Sequence, residues 1–290
     1  MFTGSLVAIV TPFRQGKVDE RALAELIEWQ IAKGTSGIVP CGTTGESATL
    51  SHDEHNRVIE LTVEVVRRRV PVIAGTGSNS TDEAIALTRH AKQAGADGAL
   101  LITPYYNKPT QEGLYRHYKA VAEAVDLPLI IYNIPGRTGI NMLPATIARL
   151  SAIQTIMGVK EGSGSVQQAS DIVQICGDRL TVLAGDDSLT LPMMAVGGKG
   201  VITVTANIVP AEMAGLVKAF AEGKVEEARR LHFKLSPLFA ALFYETNPIP
   251  VKEALGLMGK IDPELRLPLC PMAQDTREKL IHVLREAALI

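Results

Sequence analysis

Cysteine is scarce in this chain of 290 residues, which has only Cys41, Cys176 and Cys270. These cysteines lie far apart, are odd in number and show no C-x-x-C spacing. The sequence therefore argues against a disulfide framework and against a structural zinc site. Such cysteine usage is typical of a reducing compartment, and we expect a cytoplasmic protein.

A charge excess of either sign is also missing. The formal net charge is −2 at pH 7, so no basic field is present to hold nucleic acid or an anionic membrane. No stretch approaches the roughly 18 uncharged apolar residues of a membrane span. The N-terminal segment MFTGSLVAIVTPF has no basic region and no small-residue cleavage site, which argues against a signal peptide.

Aromatic residues make up only 4% of the chain, whereas hydrophobic residues make up 46%. A core of Ala, Val, Ile and Leu suits packed β/α layers, and the length suits an α/β barrel, which typically needs about 250 residues. There is no Walker-type loop and no G-x-G-x-x-G fingerprint, so a nucleotide cofactor is unsupported.

Short apolar runs alternate with longer segments of helical period. Most of the runs are continuously apolar, as in strands buried on both faces of a parallel sheet. The eight runs are Leu6–Val10, Gly37–Pro40, Val70–Ala74, Ala99–Thr103, Leu129–Asn133, Ile156–Lys160, Thr181–Ala184 and Gly200–Val204. Helical segments between them include Arg21–Lys33, His52–Arg69, Thr81–Ala94, Gln111–Ala124 and Pro144–Leu150. Eight β-then-α units favour a closed (β/α)8 TIM barrel over an open doubly wound sheet.

Helix-start signals support this division. Ser51 and Thr81 stand where an N-cap is expected, and Glu54 follows Ser51 by three residues, as in a capping box.

Beyond the eighth run, from about Ala211, only helical patterning remains, with breaks at Asn247-Pro248, Pro263 and Pro268. This pattern predicts one helix that closes the barrel and about three more. We therefore predict a catalytic barrel over residues 1–222 and a C-terminal helical extension over residues 223–290, packed on the barrel.

Active sites of such barrels lie at the carboxyl ends of the strands. Lys160 ends the sixth run, so its amine is expected in a mostly apolar barrel mouth. There, desolvation lowers the pKa of a lysine and makes it a nucleophile toward a carbonyl. The alternative is a buried lysine paired with an acid such as Glu161 or Asp186, and position alone does not decide between them.

Other polar residues also follow predicted strands. Tyr132 can shuttle protons during carbinolamine chemistry, although a tyrosine packed in the barrel is the alternative. Thr43 and Thr44 lie in a glycine-flanked turn that can bind a carboxylate, or they form a plain turn. Arg137 suits bidentate carboxylate binding, or it is a solvated loop residue.

His52 and His55 are three residues apart at a predicted helix start. As an H-x-x-H metal pair they have no third ligand at sensible spacing, and the alternative is a solvated helix face. We predict no metal site.

Together these residues resemble the 4-hydroxy-tetrahydrodipicolinate synthase (dihydrodipicolinate synthase) family, among the pyruvate-dependent class I aldolases. The matching segments follow in order through essentially the whole chain, which is more specific than any one motif. They are GTTGES at 42–47, AGTGSNST at 74–81, TPYYNKPTQEGLY at 103–115, YNIPGRTG at 132–139, VKEGSGS at 159–165, AGDD at 184–187 and NPIPVKEALG at 247–256.

The resemblance implies a lyase that condenses pyruvate with L-aspartate 4-semialdehyde, the first committed step toward diaminopimelate and lysine. It implies no cofactor, because the protonated imine is itself the electron sink, and it implies a homotetramer built as a dimer of dimers.

The resemblance also implies a role for each matching residue. Lys160 forms the Schiff base, and Tyr132 donates and accepts protons. Thr43 and Tyr106 complete a hydroxyl relay, with Tyr106 entering from the neighbouring subunit. The substrate-binding positions are Thr44, for the pyruvate carboxylate, Arg137, for the carboxylate of the second substrate, Gly185 and Ile202.

Many family members are inhibited by lysine at the interface of the tight dimer. The positions that match this site are Ser47, Ala48, His52, His55, Asn79, Glu83 and Tyr105. Feedback inhibition by L-lysine is therefore a hypothesis, with Glu83 expected to pair with the ligand's ammonium group.

The sequence departs from the family pattern in two places. Gly162-Ser163-Gly164 replaces a common Ala-Thr-Gly, and Glu253 replaces an aromatic residue in a VKWA-like segment. The first change keeps a hydroxyl, whereas the second is expected to affect helix packing or subunit contacts.

Two alternative functions follow from these residues. Another pyruvate-dependent aldolase, such as N-acetylneuraminate lyase or a keto-deoxy-sugar-acid aldolase, shares the lysine and tyrosine. Arg137 favours a small second substrate that bears a carboxylate. A non-catalytic sensor of lysine or a keto acid is disfavoured, because it needs neither Lys160 nor its relay.

Overall fold

In the computed structural model, which describes residues 2–290, strands and helices alternate along the chain. The strands in these residues are β1 (Gly4–Ala8), β2 (Phe13–Arg14), β3 (Lys17–Val18), β4 (Gly37–Val39), β5 (Ile73–Gly75), β6 (Gly98–Ile102), β7 (Leu129–Asn133), β8 (Ile156–Glu161), β9 (Thr181–Ala184) and β10 (Gly200–Thr203). The α-helices are α1 (Glu20–Ala32), α2 (His52–Val66), α3 (Thr81–Ala94), α4 (Gln111–Ala124), α5 (Pro135–Thr138), α6 (Pro144–Leu150), α7 (Val166–Cys176), α8 (Thr190–Ala195), α9 (Pro210–Ala221), α10 (Val225–Ala241), α11 (Ile249–Leu257) and α12 (Gln274–Glu286).

Eight parallel strands form one sheet in the order β4-β1-β10-β9-β8-β7-β6-β5. The end strands β4 and β5 meet through a parallel bridge between Ile38 and Val72. The Gly75 amide also donates to the Pro40 carbonyl at 2.9 Å. The sheet thus closes on itself, and the predicted TIM barrel is confirmed.

Each barrel strand is buried on both faces, which explains why the runs are continuously apolar. One set of side chains fills the barrel interior, as Leu6, Ile73, Ile130 and Ile202 do. The alternate residues of the same strands pack outward against the helices, as Val7 does. Tyr132 belongs to the interior set, so its ring lies inside the barrel.

The predicted element boundaries are close to those in the structure. The helix predicted over His52–Arg69 ends at Val66, because Arg67 and Arg68 adopt left-handed backbone conformations. The capping box of Ser51 and Glu54 is confirmed. The prediction that Thr81 is an N-cap is wrong: Thr81 is the first residue of α3, and its hydroxyl bonds His117 Nδ1 at 3.0 Å.

The C-terminal part contains the helices that the pattern predicts, with α9 against the barrel and α10, α11 and α12 beyond it. Glu253 pairs with Arg277 at 2.6 Å and joins α11 to α12. The residue at this departure from the family pattern thus takes part in an ion pair between two C-terminal helices. Within residues 2–290, no helix combines the length and apolar character needed to cross a membrane.

Candidate active site

Lys160 and Tyr132 lie on adjacent strands at the carboxyl end of the barrel. They are register partners in the pairing of β7 with β8. The Lys160 amine lies 4.1 Å from the centre of the Tyr132 ring. Both side chains are buried, with 5% and 6% of their surfaces exposed. The structure thus brings together the two residues at the centre of the predicted site.

Burial lowers the pKa of Lys160 to about 8. The nearby Asp187 carboxylate opposes this shift, and the Arg137 guanidinium adds to it. With this pKa, roughly a tenth of the amine is unprotonated at pH 7, far more than for an ordinary lysine, and the unprotonated form is the nucleophile toward a carbonyl.

The two acids considered as ion-pair partners of Lys160 bond other groups. Glu161 accepts hydrogen bonds from the side chains of Asn133 and Gln168 and from the Ser163 amide, at 3.1, 3.2 and 2.7 Å. Asp186 accepts from the amide and hydroxyl of Ser188. This bonding disfavours the reading of Lys160 as a structural ion-pair partner.

Asp187 is the acid whose charge acts on Lys160. It is 2% exposed, and burial raises its own pKa. One carboxylate oxygen accepts from the amides of Val204 and Thr205 at 3.1 and 2.7 Å. The other has no hydrogen-bond partner within residues 2–290. Nothing in the sequence beyond the AGDD segment singled out this residue.

Thr43 and Thr44 occupy the turn that follows β4. The Glu46 amide donates to the Thr43 carbonyl at 3.1 Å and closes the turn. The Thr44 hydroxyl is buried and accepts from the Asn247 side chain at 2.9 Å. Arg137 donates to the Asn247 carbonyl at 3.0 Å. Asn247 thus connects two predicted site residues, although the sequence indicated no role for it.

A cavity of about 400 Å³ opens beside this turn, with Thr43, Tyr132 and Arg137 in its wall. The same cavity continues to most of the positions matched to the lysine site. These are Ser47, Ala48, His52, His55, Glu83 and Tyr105. Asn79 lies next to them, since its side chain donates to the Tyr105 carbonyl at 3.2 Å.

The two histidines of the H-x-x-H pair have different environments. His52 is exposed and lies 2.9 Å from Glu83, as expected for a solvated helix face. His55 is buried, and its Nε2 lies 2.9 Å from the Gly75 carbonyl, so a solvated position is wrong for it. Burial lowers the pKa of His55 to about 4. Within residues 2–290, no group of three potential ligands is arranged to hold a metal ion.

The remaining predicted residues lie in three different parts of the fold. Gly185 follows β9 and donates its amide to the Glu161 carbonyl at 2.7 Å. Ile202 is in the barrel interior with Tyr132. Tyr106 is 89% exposed on the surface of the chain, with a left-handed backbone (φ 72°). A single chain therefore does not bring Tyr106 to Lys160.

The comparisons with known proteins agree with this geometry. The sequence model of the "Dihydrodipicolinate synthetase family" matches residues 1–287. The 4-hydroxy-tetrahydrodipicolinate synthase of Geotalea daltonii is 64% identical over 290 residues, which cover all of both chains. The dihydrodipicolinate synthase of Acinetobacter baumannii, solved in complex with pyruvate, is 49% identical with a TM-score of 0.98 over all of both chains. The enzyme of Cyanidioschyzon merolae, solved with lysine bound, is 39% identical with a TM-score of 0.96 over 100% of this chain and 99% of that one.

Proposed function

The chain belongs to the dihydrodipicolinate synthetase family, and we propose that it joins pyruvate to L-aspartate 4-semialdehyde through a Schiff base on Lys160. The family consists of lyases of lysine and diaminopimelate biosynthesis. The observation that carries the proposal is the buried amine of Lys160, whose pKa is lowered to about 8, against the Tyr132 ring.

The reaction begins when the unprotonated Lys160 amine attacks the keto carbon of pyruvate. The resulting carbinolamine loses water, and a protonated imine forms. The iminium draws electrons from the neighbouring methyl group, which loses a proton and becomes an enamine. The enamine carbon then attacks the aldehyde of the second substrate, and this step forms the new carbon–carbon bond.

Hydroxyl groups beside Lys160 move the protons of these steps. Tyr132 lies against the amine and serves as donor and acceptor, and Thr43 lines the same cavity. Tyr106 completes the relay from a neighbouring subunit, which its exposure in the single chain favours. The negative charge of Asp187 stabilises the iminium, because it lies near the Lys160 amine.

Both substrates carry a carboxylate group, and the proposed site has a separate group of donors for each. Thr44 and the backbone amides of its turn bind the carboxylate of pyruvate, with Gly185 and Ile202 beside the bound molecule. Arg137 binds the carboxylate of aspartate semialdehyde at the cavity entrance. A related enzyme has been solved in complex with pyruvate, which supports pyruvate as the first substrate.

Borohydride reduction in the presence of pyruvate, followed by mass spectrometry of peptides, tests the proposal. We expect a pyruvyl adduct on Lys160 and none in the Lys160→Ala variant. Turnover of aspartate semialdehyde is followed in a coupled assay. A wild-type chain with no adduct on Lys160 refutes the Schiff-base proposal, and turnover of N-acetylneuraminate but not aspartate semialdehyde assigns the chain to the alternative aldolases.

We propose further that L-lysine binds in the same cavity, at the part formed by six of the positions matched to the lysine site, with Asn79 beside them. Hydrogen bonds from Ser78 and His52 lower the pKa of Glu83, so Glu83 is an anion that can pair with an ammonium group. A related enzyme has been solved with lysine bound. Titration calorimetry with L-lysine should show binding to the wild-type chain and weaker binding to Glu83→Gln. No heat at millimolar lysine contradicts this proposal.

The active assembly is proposed to be a homotetramer in the cytoplasm, with a barrel of residues 1–222 and an extension of residues 223–290. The unpaired thiols of Cys41, Cys176 and Cys270 suit a reducing compartment.

A further inference from the structure

A fully buried ion pair joins the C-terminal extension to the turn after β4. Lys252 on α11 lies 2.6 Å from Glu46, and both side chains have 0% of their surface exposed. Glu46 is the last residue of the GTTGE turn that carries Thr43 and Thr44. The pair therefore connects the extension directly to two residues of the proposed site.

The backbone of Glu46 is in the left-handed region, with φ 52° and ψ 38°. Residues other than glycine rarely adopt this conformation, and it persists where surrounding contacts hold it. Each carboxylate oxygen of Glu46 has a partner from the C-terminal part of the chain. One meets Lys252, and the other accepts the Arg266 amide at 3.2 Å. These contacts hold the turn in a shape that its own sequence disfavours.

The Lys252 amine is held from another side as well. It lies 4.2 Å from the centre of the Phe13 ring, and the Arg266 guanidinium lies 4.2 Å from the same ring. These contacts leave the Lys252 amine little freedom to move, so it sets the position of Glu46.

Stability alone does not account for such a pair. Burying two charges is costly, and replacing a buried ion pair by uncharged residues of similar volume is often neutral or stabilising. What the pair provides is one defined position for the carboxylate, and with it one defined position for the turn.

A second contact between the extension and the turn also holds the turn in position. Asn247, just before α11, donates to the Thr44 hydroxyl and accepts from Arg137. The extension thus contacts the turn at two places, through Asn247 just before α11 and through Lys252 on α11.

We propose that Lys252 and Glu46 are positioning residues for the reaction, because together they hold Thr43 and Thr44 over the barrel mouth. This inference rests on the function proposed above, in which these threonines act in the proton relay and bind the pyruvate carboxylate. The C-terminal extension thus helps to position the turn through Lys252 and Asn247.

The double variant Glu46→Gln with Lys252→Met tests this role, since it removes both charges and keeps the volumes. We expect a melting temperature near that of the wild type, with kcat/KM for pyruvate lowered about tenfold to hundredfold. We expect both a lower kcat, from Thr43, and a higher KM for pyruvate, from Thr44. The matched control is Glu253→Gln with Arg277→Met, which removes the other ion pair of α11 and should leave both constants near wild type.

A folded double variant with wild-type kcat and KM overturns the proposal. If the double variant does not fold, the variant Glu46→Asp tests the positioning role instead. It keeps the charge and retracts the carboxylate by one methylene. A raised KM for pyruvate at an unchanged melting temperature supports positioning, and unchanged kinetics refutes it. The wild-type chain is assayed alongside: a wild type without the Lys160 adduct refutes the function itself, whereas an active wild type with unaffected variants refutes only the positioning role.

Discussion

At the scale of single residues, reactivity depends on the surroundings of Lys160. An aromatic ring lies against its amine, the buried Asp187 carboxylate in the turn after β9 acts on it, and burial favours its neutral form. Burial and the Asp187 charge act in opposite directions on the Lys160 pKa. In the proposed reaction, their balance leaves part of the amine neutral near neutral pH and still provides negative charge near the iminium.

The pKa of about 8 for Lys160 predicts how the reaction depends on pH. Only the unprotonated amine attacks pyruvate, so below this value kcat/KM for pyruvate should fall about tenfold per pH unit. Steady-state kinetics between pH 6 and pH 9 should show a rise that reaches half its maximum near pH 8 and levels off above it. A flat profile across this range contradicts a rate set by the protonation of Lys160.

Asp187→Asn should shift this profile. The carboxylate raises the pKa of Lys160, so its removal lowers that pKa, and the rise should occur at lower pH. The maximal kcat should also fall, because the iminium loses a stabilising charge. Asp186→Asn is the matched control: this neighbouring acid acts on Asp187 and Tyr132 and not directly on Lys160, so its variant should shift the midpoint less than Asp187→Asn does. Equal midpoints for wild type and Asp187→Asn contradict the assigned role.

At the scale of elements, the segment between α11 and α12 is tied to the barrel by a few polar contacts. Arg266 makes two hydrogen bonds to the Glu54 carboxylate on α2, at 2.7 and 2.6 Å. It also donates to the carbonyls of Thr49 and Gly16. One side chain thus connects the extension, the first turn of α2 and the β2–β3 hairpin.

Glu54→Gln should reduce stability in a way that depends on pH. Hydrogen bonds from Arg266 lower the pKa of Glu54 to about 2, below an unfolded value of about 4.3. A lowered carboxyl pKa stabilises the fold above the unfolded value, and this contribution is lost as the pH falls toward 2. Because the pair is partly exposed, we expect a loss of about 1–2 kcal/mol at pH 7.

Urea unfolding of wild type and Glu54→Gln at pH 7 and pH 3 measures this effect. The difference in the free energy of unfolding should shrink at pH 3, because the unfolded carboxyl is then protonated and folding has to remove that proton. Glutamine keeps the capping-box acceptor for the Ser51 amide, so the helix start is preserved. A difference that is the same at both pH values contradicts the electrostatic origin.

At the scale of the whole molecule, one chain holds most of the proposed site but not all of it. Lys160, Tyr132, Thr43 and Arg137 converge on the barrel mouth. Tyr106 lies on the surface, with 89% of its side chain exposed. A hydroxyl so exposed serves the relay only when a second copy of the chain covers this face.

Mixed oligomers test whether Tyr106 acts in trans. Lys160→Ala and Tyr106→Phe should each be nearly inactive alone. Co-expressed, they should recover about a quarter of wild-type activity, because half of the dimers are mixed and each mixed dimer has one complete site. The control mixes Lys160→Ala with Tyr132→Phe, which damage the same site of their own chains and should not complement. No recovery in the first mixture contradicts the shared site.

The sequence by itself determined the barrel and the position of its candidate nucleophile. Continuous apolar runs predict strands buried on both faces, and eight of them in alternation with helices predict closure. Lys160 stands out because it ends such a run. These signals are local, since each depends on residues within one element, and the bounds of β7, β9, α3, α4 and α6 agree with the predictions.

The tertiary structure alone decided which groups meet around that nucleophile. Glu46 and Lys252 are 206 positions apart in the chain, and Thr44 and Asn247 are 203 apart. No period or spacing in the sequence links residues so distant. Burial, which also depends on the tertiary structure, decides whether a charge such as that of Asp187 acts strongly or is screened by water. The environment of His55 and the exposure of Tyr106 likewise depend on what the folded chain packs against them.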